Sequence, residues 1–107
     1  QSKLPICDCL IYVANWPKVR SDAWTSLLKA RAIENQAFVI GVNRVGLDGN
    51  GMEYSGDSRC YSPKGERLDK VISSKEMINI VTINLDNLSE FREKFPVSDD
   101  GDLFTIA

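Results

Sequence analysis

The first third of the chain holds one dense apolar run followed by one amphipathic stretch. Residues 8–14 are almost continuously apolar and of strand length, which predicts a buried β-strand. Pro17 lacks a backbone donor and restricts Trp16 to extended geometry, so the strand should end in a loop. A helix capped by Ser21 or Asp22 is then predicted to run to about Gln36. Its expected apolar face is formed by Trp24, Leu27, Leu28 and Ile33.

A second apolar run at residues 37–43 completes a strand–helix–strand unit. Such a unit predicts two parallel strands joined by a right-handed crossover. Four glycines make residues 46–56 a turn-rich loop. The remaining expected elements are a hairpin of residues 58–62 and 66–72 around Ser62-Pro63-Lys64-Gly65, a strand at 77–85, and a helix at 85–95 capped near Asp86 or Asn87 and stopped by Pro96.

The predicted order βαββββα indicates an α/β layer architecture, with residues 1–107 in a single domain. The net charge of −2 is spread along the chain, and no apolar run approaches the roughly 20 residues of a membrane span. We therefore expect neither nucleic acid nor a membrane as partner. The acidic tail (Asp99, Asp100, Asp102) lacks the EF-hand pattern and is interpreted as a solvated turn.

Histidine is absent, which excludes Ser-His-Asp and Cys-His mechanisms and ordinary histidine metal sites within this chain. The three cysteines, Cys7, Cys9 and Cys60, have neither CxxC spacing nor an even count. Reduced thiols and a cytoplasmic location follow from that pattern. No metal or cofactor is expected.

Several motifs follow one another in a fixed order along the chain, at residues 10–17, 24–36, 39–46, 54–58 and 62–66, at Arg92, and at residues 95–97. This series resembles the carbon–nitrogen hydrolase (nitrilase) superfamily, and the Ala-Asn-Trp-Pro strand end most resembles its omega-amidase branch. The resemblance implies part of an α-β-β-α sandwich, namely the C-terminal half of the domain. It also implies a Glu general base, a Lys that stabilises the tetrahedral intermediate, and a Cys nucleophile that passes through a thioester. Omega-amidases hydrolyse the terminal amide of deaminated glutamine or asparagine.

None of those three catalytic residues is assigned here, because the resemblance begins just past the nucleophile. Ile6-Cys7-Asp8 imitates the start of the nucleophile motif, but Cys9-Leu10-Ile11-Tyr12 follows where the family has an Arg-Phe-Pro turn. Cys7 is therefore interpreted as an incidental thiol, and Cys9 and Cys60 as residues of the core. An independent hydrolase that uses Cys7 stays open as the rival.

The predicted substrate-binding residues are Asn15, Trp16 and Pro17, at the carboxyl end of a parallel strand where α/β sheets bind ligands. Trp16 would pack on the substrate and Asn15 would orient it; the alternative is that Trp16 only plugs the core. Asn43 and Arg44 end the next strand near the same crevice, and either could line the pocket. A second set (Arg31, Glu34, Asn35) is interpreted as structural, on a helix that borders a subunit interface in the family.

These observations predict the C-terminal part of an amidohydrolase, inactive alone because its catalytic residues lie on polypeptide not present. Expected partners are a small-molecule amide, the missing N-terminal half and a second copy in a homo-oligomer. An apolar sheet face should be left uncovered. The alternative is a non-catalytic α/β interaction or dimerisation module derived from the same fold.

Overall fold

The computed structural model describes residues 7–95. Two helices and five strands follow one another along these residues, and a one-turn 3-10 helix at Lys18–Arg20 precedes the first long helix. The elements are β1 (Cys9–Ala14), α1 (Ser21–Asn35), β2 (Phe38–Asn43), β3 (Val45–Leu47), β4 (Glu53–Ser55), β5 (Arg59–Tyr61) and α2 (Leu85–Lys94).

A three-stranded sheet in the order β1-β2-β5 is the frame of the molecule. β1 and β2 run parallel, with Leu10 opposite Val39 and Tyr12 opposite Gly41, while β5 adds antiparallel to the other side of β2. The predicted strand–helix–strand unit and the α/β class are therefore confirmed.

One face of this sheet packs against α1. Trp24, Leu28 and Ala32 recur every fourth residue on α1 and are buried together with Val39 and Tyr61. Gly41 permits the close approach, because a Cβ at that position would lie 2.4 Å from Leu28 Cδ1.

Two members of the predicted apolar helix face are not core residues. Leu27 is 41% exposed and Ile33 is 48% exposed. The observed buried stripe follows the spacing i, i+4, i+8 from Trp24, so residues at i+3 and i+9 fall at its margins.

The opposite face of the sheet is apolar and largely uncovered. Ile11, Val13 and Val42 are 66%, 80% and 46% exposed, whereas their strand neighbours on the α1 side are wholly or partly buried. The expectation of an uncovered apolar sheet face is thereby confirmed for the part of the chain that the structure describes.

Arg92 ties α2 to the starts of the two parallel strands. Its guanidinium donates to the carbonyl of Gln36 (2.9 Å), to Asp8 Oδ1 (3.2 Å) and to the carbonyl of Cys7 (2.6 Å). Gln36 ends α1 in the left-handed conformation, and its amide donates to the carbonyl of Phe95 at 2.6 Å. Three chain segments therefore meet at the amino edge of the sheet.

Three predictions for the second half of the chain are wrong. Residues 46–56 are not only a loop, since they contain the β3–β4 hairpin, whose turn is fixed by Asp48 Oδ1 accepting the N–H groups of Asn50 and Met52. The turn at residues 62–65 forms, but residues 66–72 pair with β5 through a single bridge, from Tyr61 to Arg67. The pairing with β5 ends there because the Cys60 N–H donates its hydrogen bond to the Asp69 carboxylate, at 2.7 Å.

The strand predicted at residues 77–85 is the third error, and no strand forms there. Ile78 and Ile80 are 90% and 87% exposed. A strand requires a hydrogen-bonding neighbour, and no strand of the described sheets pairs with this segment.

Both predicted helix caps are also wrong. Ser21 and Asp22 lie inside α1, which continues directly from the 3-10 helix and has no side-chain cap. α2 is capped by Asn84, whose side chain accepts the N–H of Asn87 at 3.0 Å. The helix predicted at residues 85–95 is otherwise confirmed, while Pro96 and the acidic tail lie outside the described residues.

Candidate functional site at the carboxyl ends of the parallel strands

The predicted substrate-binding loop lies directly beyond β1, beside the end of β2. Asn15 is exposed, and Trp16 and Pro17 are partly buried. β1 and β2 end in register at Ala14 and Asn43, so the loop leaves the sheet next to the Asn43 side chain. This is the edge at which open α/β sheets accommodate ligands.

Asn43 joins three segments at this edge. Its Oδ1 accepts the backbone N–H of Trp16 at 2.8 Å, and its Nδ2 donates to the carbonyls of Trp16 and Gly56, each at 2.9 Å. The backbone N–H of Asn43 donates to Ser58 Oγ at 2.9 Å. The loop after β1, the end of β2 and the β4–β5 connection are thus held together by one residue.

The Trp16 ring packs on the core beneath the sheet edge. Its centroid lies 5.7 Å from that of Trp24 at an interplanar angle of 37°, and its indole N–H donates to the carbonyl of Arg20 at 2.5 Å. Such tilted pairs of aromatic rings stabilise their contact beyond simple burial. Trp16 therefore has the contacts of the core plug considered as the alternative, although it is only partly buried.

The β4–β5 connection belongs to the same cluster, although the sequence analysis did not single it out as functional. Gly56 and Asp57 both have positive φ, at 77° and 52°. Trp24 Nε1 donates to the Asp57 carbonyl at 2.8 Å, and the buried Asp57 carboxylate accepts from Ser55 Oγ at 2.5 Å. Arg59 lies 3.7 Å from the same carboxylate. The sequence signals were the Gly-Asp pair, which is typical of a turn, and the place of residues 54–58 among the motifs that resemble the family.

A groove of about 860 Å³ lies on the sheet face away from α1. Its lining combines apolar strand residues with charged groups from the strand ends and from residues 75–81; examples are Ile40, Val42, Arg44, Asp57 and Arg59. Asn43 and Arg44 line it, whereas Asn15, Trp16 and Pro17 do not. The structure therefore separates the predicted loop from the groove and leaves Asn43 in contact with both.

The Arg44 side chain is directed toward the β3–β4 hairpin. Its guanidinium carbon lies 4.7 Å from the Tyr54 ring centroid, a cation–π contact. The Tyr54 hydroxyl donates to Asp48 Oδ2 at 3.1 Å, and burial raises the pKa of Tyr54, with this carboxylate adding to the shift.

The three cysteines lie away from the loop. Cys7 is exposed at the amino end of β1, and the six residues of that strand separate it from Asn15 by about 20 Å. Burial, with help from Cys9 and Asp69, raises the pKa of the Cys60 thiol to about 11, and burial followed by Asp8 raises that of Cys9. Neither Cys9, which is partly buried, nor buried Cys60 is an activated nucleophile at neutral pH.

The pair Arg31 and Glu34 on α1 is a surface ion pair. The two side chains lie 3.1 Å apart and are 40% and 58% exposed, so the pair contributes at most about 1 kcal/mol. Asn35 Nδ2 donates to the Arg31 carbonyl at 2.9 Å. Both contacts lie within α1, and the predicted role of these residues in fixing the helix against a neighbour stays a prediction.

Within the same span, no three His, Cys, Asp or Glu side chains are grouped as a metal site would require. Neither of the described helices has the length and apolar composition needed to cross a bilayer. All three cysteines are free thiols.

The chain matches the carbon–nitrogen hydrolase family over residues 4–93. It is 48% identical over 99 residues to the omega-amidase YafV of Escherichia coli K12, an alignment that covers 92% of this chain and 39% of that protein. It is 42% identical over 93 residues to the 2-oxoglutaramate amidase of Bacillus subtilis, covering 87% of this chain and 35% of that enzyme.

Among solved structures, the chain superposes on XC1258 of Xanthomonas campestris, a CN-hydrolase superfamily protein with an arsenic adduct in its active site. The TM-score is 0.79 at 45% identity, covering 87% of this chain and 35% of the other. The chain is therefore a member of the carbon–nitrogen hydrolase family, in the nitrilase superfamily. It spans less than two fifths of the length of these relatives.

Proposed function

We propose that this chain forms the C-terminal part of an omega-amidase-type hydrolase, which cleaves the terminal amide of a small linear acid and releases ammonia. The observation that carries the proposal is the 48% identity to an omega-amidase along nearly the whole chain. The name of the Bacillus subtilis relative supports a 2-oxo acid amide as the substrate. In this proposal the 107 residues are part of one catalytic domain in a cytoplasmic protein.

The reacting groups are supplied by polypeptide outside this chain. Supporting this, Cys7 is about 20 Å of strand away from the Asn15 loop, and burial keeps the pKa of Cys9 and Cys60 above the ordinary thiol value. The family's Glu, Lys and Cys would act by nucleophilic acyl transfer: the thiolate attacks the amide carbon, ammonia leaves, and water releases the acid from the thioester. The chain on its own is inactive.

Asn15, Trp16 and Pro17 form one wall of the substrate pocket. Their position beyond the end of a parallel strand supports this role, as does the exposed Asn15 amide, which no hydrogen bond engages within the described part of the chain. Trp16 gives the wall rigidity through its contact with Trp24 and presents its exposed part to the substrate.

The uncovered sheet face packs against the rest of the enzyme, as one inner face of an α-β-β-α sandwich. Exposed Ile11, Val13 and Val42 support this, because contiguous apolar surface of this kind marks an interface. A homo-oligomer would use the other side of the molecule, along α1. In the isolated chain, the same apolar sheet face causes self-association.

Ammonia release tests the proposal. The complete enzyme should hydrolyse 2-oxoglutaramate, and the purified 107-residue chain should release no ammonia above background at the same molar concentration. A Cys7→Ser variant of the complete enzyme should keep parental kcat, since Cys7 takes no part in the chemistry. Turnover by the isolated chain, or loss of activity in Cys7→Ser, would contradict the assignment.

A non-catalytic interaction module is the second candidate, and the uncovered face of Ile11, Val13 and Val42 is the observation that favours it. The two candidates differ in the complete protein. A protein that binds its partner through this face but leaves every omega-amide intact would be the module rather than the enzyme.

A further inference from the structure

Asn43 has the contacts of a residue that controls the substrate-binding wall without touching the reacting atoms. We propose that Asn43 is a positioning residue that fixes the Asn15–Pro17 wall relative to β2, and thereby determines which chain length of omega-amide the enzyme prefers. The inference rests on the proposed function and adds a residue that sets its specificity.

The Asn43 amide uses both of its N–H donors and one of its two acceptor sites at this edge. Oδ1 accepts the Trp16 N–H at 2.8 Å, and the two Nδ2 protons go to the carbonyls of Trp16 and Gly56, each at 2.9 Å. Two donors and an acceptor on one short side chain are available only from an amide of this length. An aspartate would retain the acceptor but would place a carboxylate oxygen against two carbonyl oxygens.

The two hydrogen bonds between the Asn43 side chain and the Trp16 backbone resemble those of one hydrogen-bonded residue pair in a β-sheet. β1 has ended at Ala14, so the backbone of Trp16 would otherwise have no sheet partner, and the Asn43 side chain takes the place of a strand. The Trp16 ring is held independently by Trp24 and by the Arg20 carbonyl. A residue fixed at both backbone and ring leaves its neighbours Asn15 and Pro17 little freedom.

The same amide links the wall to the groove side of the sheet edge. Through Gly56 it contacts the β4–β5 connection, whose next residue, Asp57, accepts the Trp24 indole N–H at 2.8 Å. Trp16, Asn43, Gly56, Asp57 and Trp24 therefore form a closed ring of contacts. Opening this ring at Asn43 would shift the wall while leaving the packed core of Leu28 and Val39 in place.

A shifted wall affects substrates of different length unequally. Misplacement of a bound substrate by about 1 Å can lower the rate about 100-fold. The preferred omega-amide loses the correct contact between its carboxylate and the shifted wall, so its kcat/KM falls. A substrate longer or shorter by one methylene never made that contact correctly, so its kcat/KM falls less. The ratio of the two specificity constants is therefore the quantity to measure.

The experiment compares succinamate with glutaramate, which differ by one methylene between amide and carboxylate, in the complete enzyme. We expect Asn43→Ala and Asn43→Asp to change the ratio of the two kcat/KM values by about fivefold or more, mostly through kcat, because a misplaced bound substrate reacts more slowly. Asn87→Ala is the matched control, because Asn87 is an exposed amide on α2, the helix that Arg92 ties to the amino edge of the sheet. Its ratio should equal the parental one.

The ratio is independent of the concentration of active enzyme, so partial unfolding of a variant does not affect it. A fall of kcat/KM by the same factor for both substrates in both Asn43 variants would mean a purely structural role and would overturn the inference alone. A parent enzyme that releases no ammonia from any omega-amide would instead overturn the proposed function, and this inference with it. Iodide quenching of tryptophan fluorescence, increased in both variants relative to the parent, is the accompanying measure of an opened wall, because Trp24 is buried and Trp16 is only partly buried.

Discussion

The two faces of the β1-β2-β5 sheet have similar side chains in opposite surroundings. On the α1 side, Val39 is fully buried beneath Leu28 and Trp24. On the other side, Val13 and Val42 are 80% and 46% exposed. The difference does not come from hydrophobicity, since both faces are built from aliphatic residues. It arises because residues 7–95 supply a covering layer for one face only.

This comparison explains why β1 is apolar at nearly every position. A strand with one solvated face alternates apolar and polar residues, whereas a strand buried on both faces does not. The composition of β1 and β2 is that of a doubly covered sheet, and the described residues cover it once. This composition supports the proposal that the second face packs against the rest of the enzyme.

The largest expected effect distinguishes two adjacent leucines on α1. Leu28 is 1% exposed beneath the sheet, so Leu28→Ala should lower the free energy of unfolding by about 2–5 kcal/mol. Leu27→Ala is the matched control and should cost less than about 1 kcal/mol, because Leu27 is 41% exposed. Urea unfolding followed by circular dichroism measures both. Equal losses would show that the covered face is not the one facing Leu28.

The sequence predicted the parallel pair and its helix because each depends on local pattern. Apolar runs bounded by Pro17 and by polar residues determine β1 and β2, and helical spacing determines α1. The contacts made at the β5 edge of the sheet were not predictable in this way. Asp69 ends the β5 ladder by taking the Cys60 N–H, a side-chain contact nine residues away that no periodicity encodes.

The sequence predicted the loop of the candidate site, but it did not predict the hydrogen bonds that hold this loop in place. Asn15, Trp16 and Pro17 stood out as a strand end, and they do lie at the carboxyl edge of the sheet. The bonds from Asn43 to Trp16 span 27 residues and depend on the strand register, which the sequence pattern alone does not determine. The strand predicted at residues 77–85 was wrong for a related reason. Alternation of apolar and polar residues predicts a strand, but it does not show whether a neighbouring strand is there to pair with it.

An intermediate effect is expected at the uncovered face. Val13→Lys should weaken self-association of the isolated chain by about tenfold or more, because an interface would have to bury an unpaired charge. Folding stability should hardly change, since Val13 is already 80% exposed. Val19→Lys is the control, because Val19 is 84% exposed on the 3-10 helix, away from the sheet face.

Sedimentation velocity across a concentration series measures this association. A parent chain that stays monomeric at high concentration would contradict the proposal that the face is an interface. An equal effect of Val19→Lys would show that any added charge, rather than its position on this sheet face, reduces association.

The smallest expected effect concerns Cys60, on the part of the sheet face away from α1 that residues 68–69 cover. Cys60 is paired with Ile40 across the sheet, yet it is only 3% exposed, because residues 68–69 fold back over it and bond to its backbone. Burial, then Cys9 and Asp69, raises the pKa of its thiol to about 11. The folded chain therefore holds this proton more tightly than the unfolded chain, in which the thiol has its ordinary value of 9.0.

The sign of the pH dependence follows from that difference. The contribution of Cys60 to stability is fully present below pH 9 and falls as the pH rises from about 9 toward about 11, where only the unfolded chain has lost the proton. Cys60→Ala should remove this part of the decline, whereas exposed Cys7→Ala should leave it unchanged. Iodoacetamide at pH 8 should label Cys7 well before Cys60. Early labelling of Cys60 would mean that residues 68–69 do not cover this end of the face, and that the whole sheet surface is open.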